Sequence, residues 1–193
     1  MNRPIPALDP RQRRTREALQ SAFMLLATSR RYHEIRINDI LQASGVSRSA
    51  FYEHFASKDA LLASSMEDAI SLLVGMLSDQ SNPRQVEALL DHFWEKRTLA
   101  RGILQGASSR VIRNALVQRI EAHLGRRGGK RLRIPHRLVA HALADGMFSP
   151  IIAWLAGESA CTSTELASAL QDASKATLAS MSAAAAQTAS PSR

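Results

Sequence analysis

An all-α fold of about nine helices is what this sequence predicts, and three observations carry that reading. Apolar residues recur at steps of three and four along most of the chain, the helical period. Alternating β-branched runs and two-residue hairpin turns, the marks of strands, are nearly absent. Breaks between the apolar stripes fall at Ser81-Asn-Pro83, Gly106, Pro135 and Gly157, where glycine or proline ends a helix.

In chain order, the first stripe is Leu19, Phe23 and Leu26, with Ala22 beside them. After Lys58, Leu62, Met66, Ile70, Leu73 and Leu77 continue as one long stripe. Val86, Leu89, Leu90 and Phe93 start another, and Leu104, Val111, Leu116 and Ile120 suggest one or two more. Val139, Ala142, Leu143, Met147, Ile151, Trp154 and Leu155 form the cleanest late stripe. Pro150 interrupts it, and a kink is expected there because proline lacks the N–H that a helix interior needs. Leu166, Ala169, Leu170 and Ala173 give the last helix, and the Ala/Ser-rich segment 183–193 reads as a disordered tail.

Charge narrows the classes of function. The 193 residues carry a formal net charge of +8, with 45% apolar residues and a single cysteine, Cys161. One cysteine excludes an internal disulfide framework and a multi-cysteine zinc site. The start is polar and Arg-rich with no apolar signal region, and no stretch approaches 18 apolar residues; the best, Met147 to Gly157, is expected to be too short to span a bilayer. A cytoplasmic protein with no membrane partner is expected. The basicity is localised: residues 1–58 hold ten basic and five acidic side chains, and residues 126–137 hold six basic and none acidic. A basic block at one end of a chain is the footprint of a polyanionic partner.

Residues 36–58 read Arg-Ile-Asn-Asp-Ile-Leu-Gln-Ala-Ser-Gly-Val-Ser-Arg-Ser-Ala-Phe-Tyr-Glu-His-Phe-Ala-Ser-Lys. A short helix, about Ile37 to Ala43, is expected to end at Gly45, which adopts the left-handed conformation of a tight turn. Val46 then fills the angle between two helices, and Ser47 caps the second by accepting a hydrogen bond from its first turn. Phe51 and Phe55, at i and i+4, face inward beneath Ile40. Arg48, Ser49 and Tyr52 are left on the outward face. Two short helices joined in this way form a helix-turn-helix, whose second helix enters the major groove of double-stranded DNA. Arg48 then suits a bidentate bond to guanine, while Tyr52, His54 and Lys58 suit phosphate. Among Arg11, Arg13, Arg14 and Arg16, at least one is expected to reach phosphate.

The chain resembles the TetR (tetracycline-repressor-like) transcriptional regulators over about residues 11–62. The resemblance rests on Asp39-Ile40, Ala43-Ser-Gly-Val-Ser47, Phe51-Tyr-Glu-His-Phe55 and Ser57-Lys58-Asp-Ala-Leu61, with Ala22-Phe23 and Tyr32 before them. It implies a three-helix DNA-binding domain (residues 1–57) and a helical ligand-binding and dimerisation body (58–182), ahead of the tail. It also implies a homodimer through the last two body helices and repression relieved by a small-molecule effector. The DNA-binding residues are then Arg36, Ser47, Arg48, Ser49, Ala50, Tyr52, His54 and Lys58. Two positions depart from the family pattern: Arg36 and Ala50 both stand where threonine is frequent.

In the body, His92, Phe93, Trp94, Arg97, Arg101, Asp145, Met147, Phe148 and Trp154 are candidates to line an effector pocket, being apolar or aromatic with a few polar groups near them. Each reads equally as core or surface. Small residues in the late stripes suit close approach of helices. The basic loop 125–137 reads as a connection between body helices, or as a contact with DNA or an anion. A phosphate-binding P-loop does not fit there, because Leu124 holds the first glycine position and Arg131 follows Lys130. No nucleophile–base signature, metal-ligand spacing or cofactor motif is present, so neither an enzyme, a metal nor a cofactor is expected. The alternative to an effector-released repressor is a ligand-independent architectural or non-specific DNA-binding protein.

Overall fold

The structure, a computed structural model, describes residues 9–78, 82–126 and 132–182. Ten α-helices follow one another: α1 (Pro10–Ala27), α2 (Ile37–Ser44), α3 (Arg48–His54), α4 (Lys58–Ser65), α5 (Glu67–Gly75), α6 (Pro83–Glu95), α7 (Arg97–Leu104), α8 (Ala107–Arg126), α9 (His136–Ala156) and α10 (Ser163–Met181). A 3-10 turn, Tyr32–Glu34, lies between α1 and α2. Among the described residues there is no strand, and one isolated bridge joins Leu132 to Ser182. The fold is all-α, with ten helices in place of about nine. The expected tail, and residues 127–131 of the basic loop, lie outside the described residues.

The single stripe expected after Lys58 is two helices. The chain leaves helical geometry at Met66 (φ −100°, ψ 5°), whose N–H reaches the carbonyls of both Leu62 and Ala63. Leu62, Met66, Ile70, Leu73 and Leu77 are all buried, so the apolar period survives the break. No glycine or proline marks it, which leaves the sequence without a local signal.

The chain divides into two compact units, Met1–Asp68 with Glu95–Ile112, and Ala69–Trp94 with Arg113–Arg193. The expected division after residue 57 is linear; this one is discontinuous, and gathers α4, α7 and the start of α8 with α1–α3.

In the first unit, Pro10 opens α1 behind Asp9, whose carboxylate accepts from the Arg11 N–H at 2.9 Å. α1 packs on α2, α3, α4 and α7. Leu19, Phe23, Ile35, Ile40, Phe51, Leu61 and Leu62 are essentially inaccessible, and Phe55 is buried with them. Each such side chain stabilises by about 1.5–3 kcal/mol relative to exposure. Leu26 is half-buried, at the edge of its stripe.

The core helix of the second unit is α9, which packs on α10. An 18-residue stretch of it has a mean hydropathy of 1.4, which makes the helix long and apolar enough to cross a bilayer by length and composition, and half of that stretch is buried within the protein. The expectation that no segment was long enough is corrected here. That expectation took Met147 to Gly157 alone, whereas the helix continues on the N-terminal side and one charge, Asp145, does not bring the average below that of a spanning helix. α9 continues through Pro150; Gly146 and Pro150 both lie on its exposed side, where the carbonyl left without a partner can meet water. On α10 the buried register is Leu166, Ala167, Leu170, Gln171 and Ser174, while Ala169 and Ala173 face outward. A capping box starts that helix: the Glu165 N–H donates to Thr162 Oγ1 at 3.1 Å, and the Thr162 N–H donates to the Glu165 carboxylate at 2.8 Å. These bonds from Thr162 hold the Glu165 carboxyl below its usual range.

Candidate nucleic-acid interface

The helix pair of residues 36–58 is assembled by short-range polar contacts. Arg36 is the residue before α2, and its side chain makes no capping bond. Asp39 compensates by accepting from the Arg36 N–H at 2.8 Å, with Arg30 3.5 Å from the same carboxylate. Gly45 closes α2 with φ +67°, and its N–H reaches the Leu41 carbonyl at 3.0 Å. Ser47 Oγ accepts from the Ala50 N–H at 3.3 Å to begin α3, and Ser57 Oγ accepts from the Ala60 N–H at 3.1 Å to begin α4. With the turn and both caps fixed, α3 has one way to lie: Phe51 goes inward against Phe55, ring centroids 6.0 Å apart.

The other face of α3 is open. Ser47, Arg48, Ser49 and Tyr52 are exposed, and Ala50 and His54 are half-buried. Tyr52 is held edge-on to Phe51 at 5.3 Å, a geometry that orients its ring while leaving the side chain about half accessible. Ser47 and Ser49 hydroxyls meet at 3.1 Å. The Arg48 guanidinium donates to the side-chain carbonyl of Asn38, across the turn on α2. Arg36, Arg48 and Lys58 border one shallow cavity of about 410 Å³, with Asn38 and His33. Three cationic groups around a concave surface favour an anion such as a phosphate.

Lys58 occupies that border in an unexpected way. Its ammonium donates to the backbone carbonyls of Tyr32 and Ile35, both at 2.7 Å, and stands 4.2 Å from the Tyr32 ring centre. Burial lowers its pKa from the ordinary lysine value, with Asp59 opposing that shift. Tyr32 in turn donates its hydroxyl to Asp59; burial first, then this bond, raises the phenol above its usual range. Lys58 is therefore a strut between α4 and the 3-10 turn, with fewer donors left for phosphate than a solvated lysine would have. Arg16 is likewise engaged, with Nη2 2.5 Å from Ser64 Oγ and its guanidinium 4.8 Å from the Phe55 ring centre. Arg13 is 3.6 Å from Glu17, while Arg11 and Arg14 are exposed.

The nine candidate effector residues are divided between the two units. Arg97 and Arg101 belong to the first unit, and the other seven to the second. Within the second unit, Met147, Phe148 and Trp154 are buried, Phe93 is half-buried and His92 is exposed. Trp94 is 44% exposed, its ring 4.7 Å from that of Trp154, whose Nε1–H donates to the Cys161 carbonyl at 3.0 Å. Asp145 accepts from Arg113 Nε and Nη2, both at 2.5 Å, with His141 Nδ1 3.2 Å from the same guanidinium. These hydrogen bonds hold the Asp145 carboxyl below its usual range. Sequence reasoning missed Asn38 and the Tyr32–Asp59 pair. Asn38 lies ten residues from Arg48 and is joined to it only by the turn, so no local pattern could reveal it; the Ser-Lys-Asp run did place Asp59 beside Lys58.

Comparison with known proteins agrees with this geometry. Residues 19–64 match the family model described as bacterial regulatory proteins, tetR family. An uncharacterised HTH-type transcriptional regulator of Bacillus subtilis, YxbF, is 38% identical over 79 residues, 40% of this chain and 21% of that protein. The DhaS activator of the dhaKLM operon in Lactococcus lactis is 32% identical over 65 residues, 34% of this chain and 35% of that protein. The matches thus span about a fifth and a third of those relatives' own lengths. A TetR-family regulator structure from Syntrophomonas wolfei has the same fold, with TM-score 0.54 and 18% identity, covering 86% of this chain and 96% of that one.

Proposed function

We propose that the chain is a TetR-family regulator, a reading supported by the match of residues 19–64 to that family's model, and that it is a cytoplasmic, homodimeric, sequence-specific DNA-binding repressor. A small-molecule effector releases it from a near-palindromic operator. The observation that carries this reading is the α2–Gly45–α3 unit, in which Phe51 is buried beneath an exposed Arg48, Ser49 and Tyr52. Such a helix enters a major groove, and two of them on a dimer meet half-sites about 34–36 Å apart. Arg48 supplies base recognition; Arg36, Ser47, Ser49, Tyr52 and His54 supply backbone contacts, with Ala50 against the groove.

Pairing through α9 and α10 is supported by their outer faces. Gly146, Ala169, Ala173 and Ala176 are exposed and small, and Leu138 is 56% exposed. Small residues let a second copy approach closely, and an exposed leucine gains from being covered. The effector we place in the second unit near Phe93 and the Trp94–Trp154 stack, where aromatic surface remains accessible. Asp145 has less to offer it, because Arg113 already holds both carboxylate oxygens. An effector that prefers the unit in a DNA-incompetent arrangement shifts the population away from the operator.

Whether occupancy lowers or raises transcription follows from where the operator lies relative to a promoter; the relative DhaS is named an activator. Selection of bound sequences from a random duplex library tests the reading. Enrichment of a two-fold-symmetric site is expected. Salt-sensitive binding without any enriched site would replace it with a non-specific DNA-binding protein.

A further inference from the structure

We propose that the first unit holds a binding site for a small, multiply charged anion of the phosphate-ester or polycarboxylate class. It lies in the cleft between the 3-10 turn and the α7–α8 turn. The cleft encloses about 630 Å³, and every residue lining it belongs to this unit. That volume is in the range of small-molecule sites, roughly 300–1,000 Å³. One wall is Arg31, Tyr32 and His33; the other runs from Thr98 through Arg101 to Ser108.

The charged lining is of one sign. Arg31 and Arg101 face the cleft beside the His33 imidazole, and no aspartate or glutamate lines it; Glu34, next in the turn, accepts from the Arg31 N–H at 2.9 Å and stands 3.9 Å from His33 Nε2. The guanidiniums of Arg31 and Arg101 make no ion pair or side-chain hydrogen bond to another described residue, whereas Arg13, Arg30, Arg113 and Arg137 each stand against a carboxylate. Two exposed guanidiniums lining one concave surface give it a positive potential that favours an anion there. Their planar forks match phosphate or carboxylate oxygens two at a time. Neutral donors are at hand as well. Thr98 offers its hydroxyl, and α8 starts at the cleft behind Gly106 with no acidic residue in its first turn. The lining draws on two segments more than sixty residues apart in the chain, so a bound anion clips the 3-10 turn to α7. That turn also carries the carbonyl of Tyr32, on which Lys58 stands. Binding is argued from the cleft alone; an effect on operator affinity rests on the regulator reading above.

The test is calorimetric titration of the full chain with sodium pyrophosphate and, separately, sodium citrate, at ionic strength held constant with sodium chloride. One saturable site per chain is expected for at least one of them, and the preferred probe tells the phosphate from the carboxylate class. Arg31→Gln and Arg101→Gln should each weaken it about tenfold or more, as loss of a charge-assisted fork implies. Arg84→Gln, which removes the same charge from exposed surface on α6, should leave it unchanged, and thermal melts confirm that all three variants fold. No saturable heat with either probe, or equal weakening in Arg84→Gln, overturns the proposal. So does a fall in operator affinity and in its salt slope for Arg101→Gln without an anion site, since the cleft would then hold a DNA phosphate. The titration contains no DNA, so it and the operator selection can fail separately.

Discussion

The turn region of the first unit and the α9–α10 pair of the second are stabilised by opposite means. Residues 36–58 form helices of seven and eight residues, too short to persist unaided, and rely on Ser47, Ser57, Asp39 and Gly45 to close their ends. α9 and α10 run 21 and 19 residues and rely on a continuous apolar seam. A short, capped helix exposes nearly everything it does not bury, and its orientation is fixed by a few named atoms. A long helix in a seam is held by many interchangeable contacts, and no single residue announces its purpose. Chemistry that must be presented at a defined angle is found in the first kind of region.

The sharpest way to break this comparison is Phe51→Ala. Removing the buried ring should cost about 3–5 kcal/mol. Amide exchange should rise across α1–α4 while α9 and α10 keep their protection; an equal rise everywhere would mean that the two regions unfold as one. Next come two variants on DNA. Arg48→Ala should lose about 1–3 kcal/mol of discrimination at one base position. Lys58→Ala should instead destabilise the fold, by about 1–3 kcal/mol for carbonyls left without their donor. Competition binding against single-base operator variants, alongside denaturant melts, separates them. A loss for Arg48→Ala that is the same on every sequence would remove its base-reading role, and an unchanged melt for Lys58→Ala would remove the strut.

Gly45→Ala isolates the turn. A Cβ there would meet nothing within 4 Å, so the cost is that of a left-handed backbone alone, about 1–2 kcal/mol. A larger loss on melting would show a steric role.

The smallest effect belongs to the body. Asp145 has its folded-state pKa depressed by Arg113, so its contribution is present above the unfolded value near 3.9 and fades as pH falls through the folded one. Because the pair is partly exposed, Asp145→Asn should cost no more than about 1 kcal/mol at pH 7. Wild type and variant should draw together in melts as pH falls below the usual aspartate value and through the folded-state one; a difference that does not shrink with falling pH would point to packing rather than charge.

The same contrast explains what could be read in advance. The head was legible because its determinants are close in sequence: Gly45, Ser47 and the Phe51–Phe55 spacing each dictate something within four residues. The break at Met66 was not, since no residue type marks it. On α10 the expected Ala169 and Ala173 proved outward-facing while Gln171 and Ser174 are buried, because neighbours from other helices, not local composition, choose the register. The nine effector candidates were chosen on composition, which does not say which of them share a surface.

One consequence of the Lys58 strut concerns how this protein would behave on a column. Lys58 and Arg16 are counted in the +8 net charge, yet among the described residues neither forms a direct ion pair with a carboxylate; both are turned onto carbonyls, a hydroxyl and aromatic rings. Retention on a cation exchanger and retention on immobilised heparin should therefore diverge. The first follows every positive charge, inward or outward, through the long-range field, whereas the second rewards only those that can be touched.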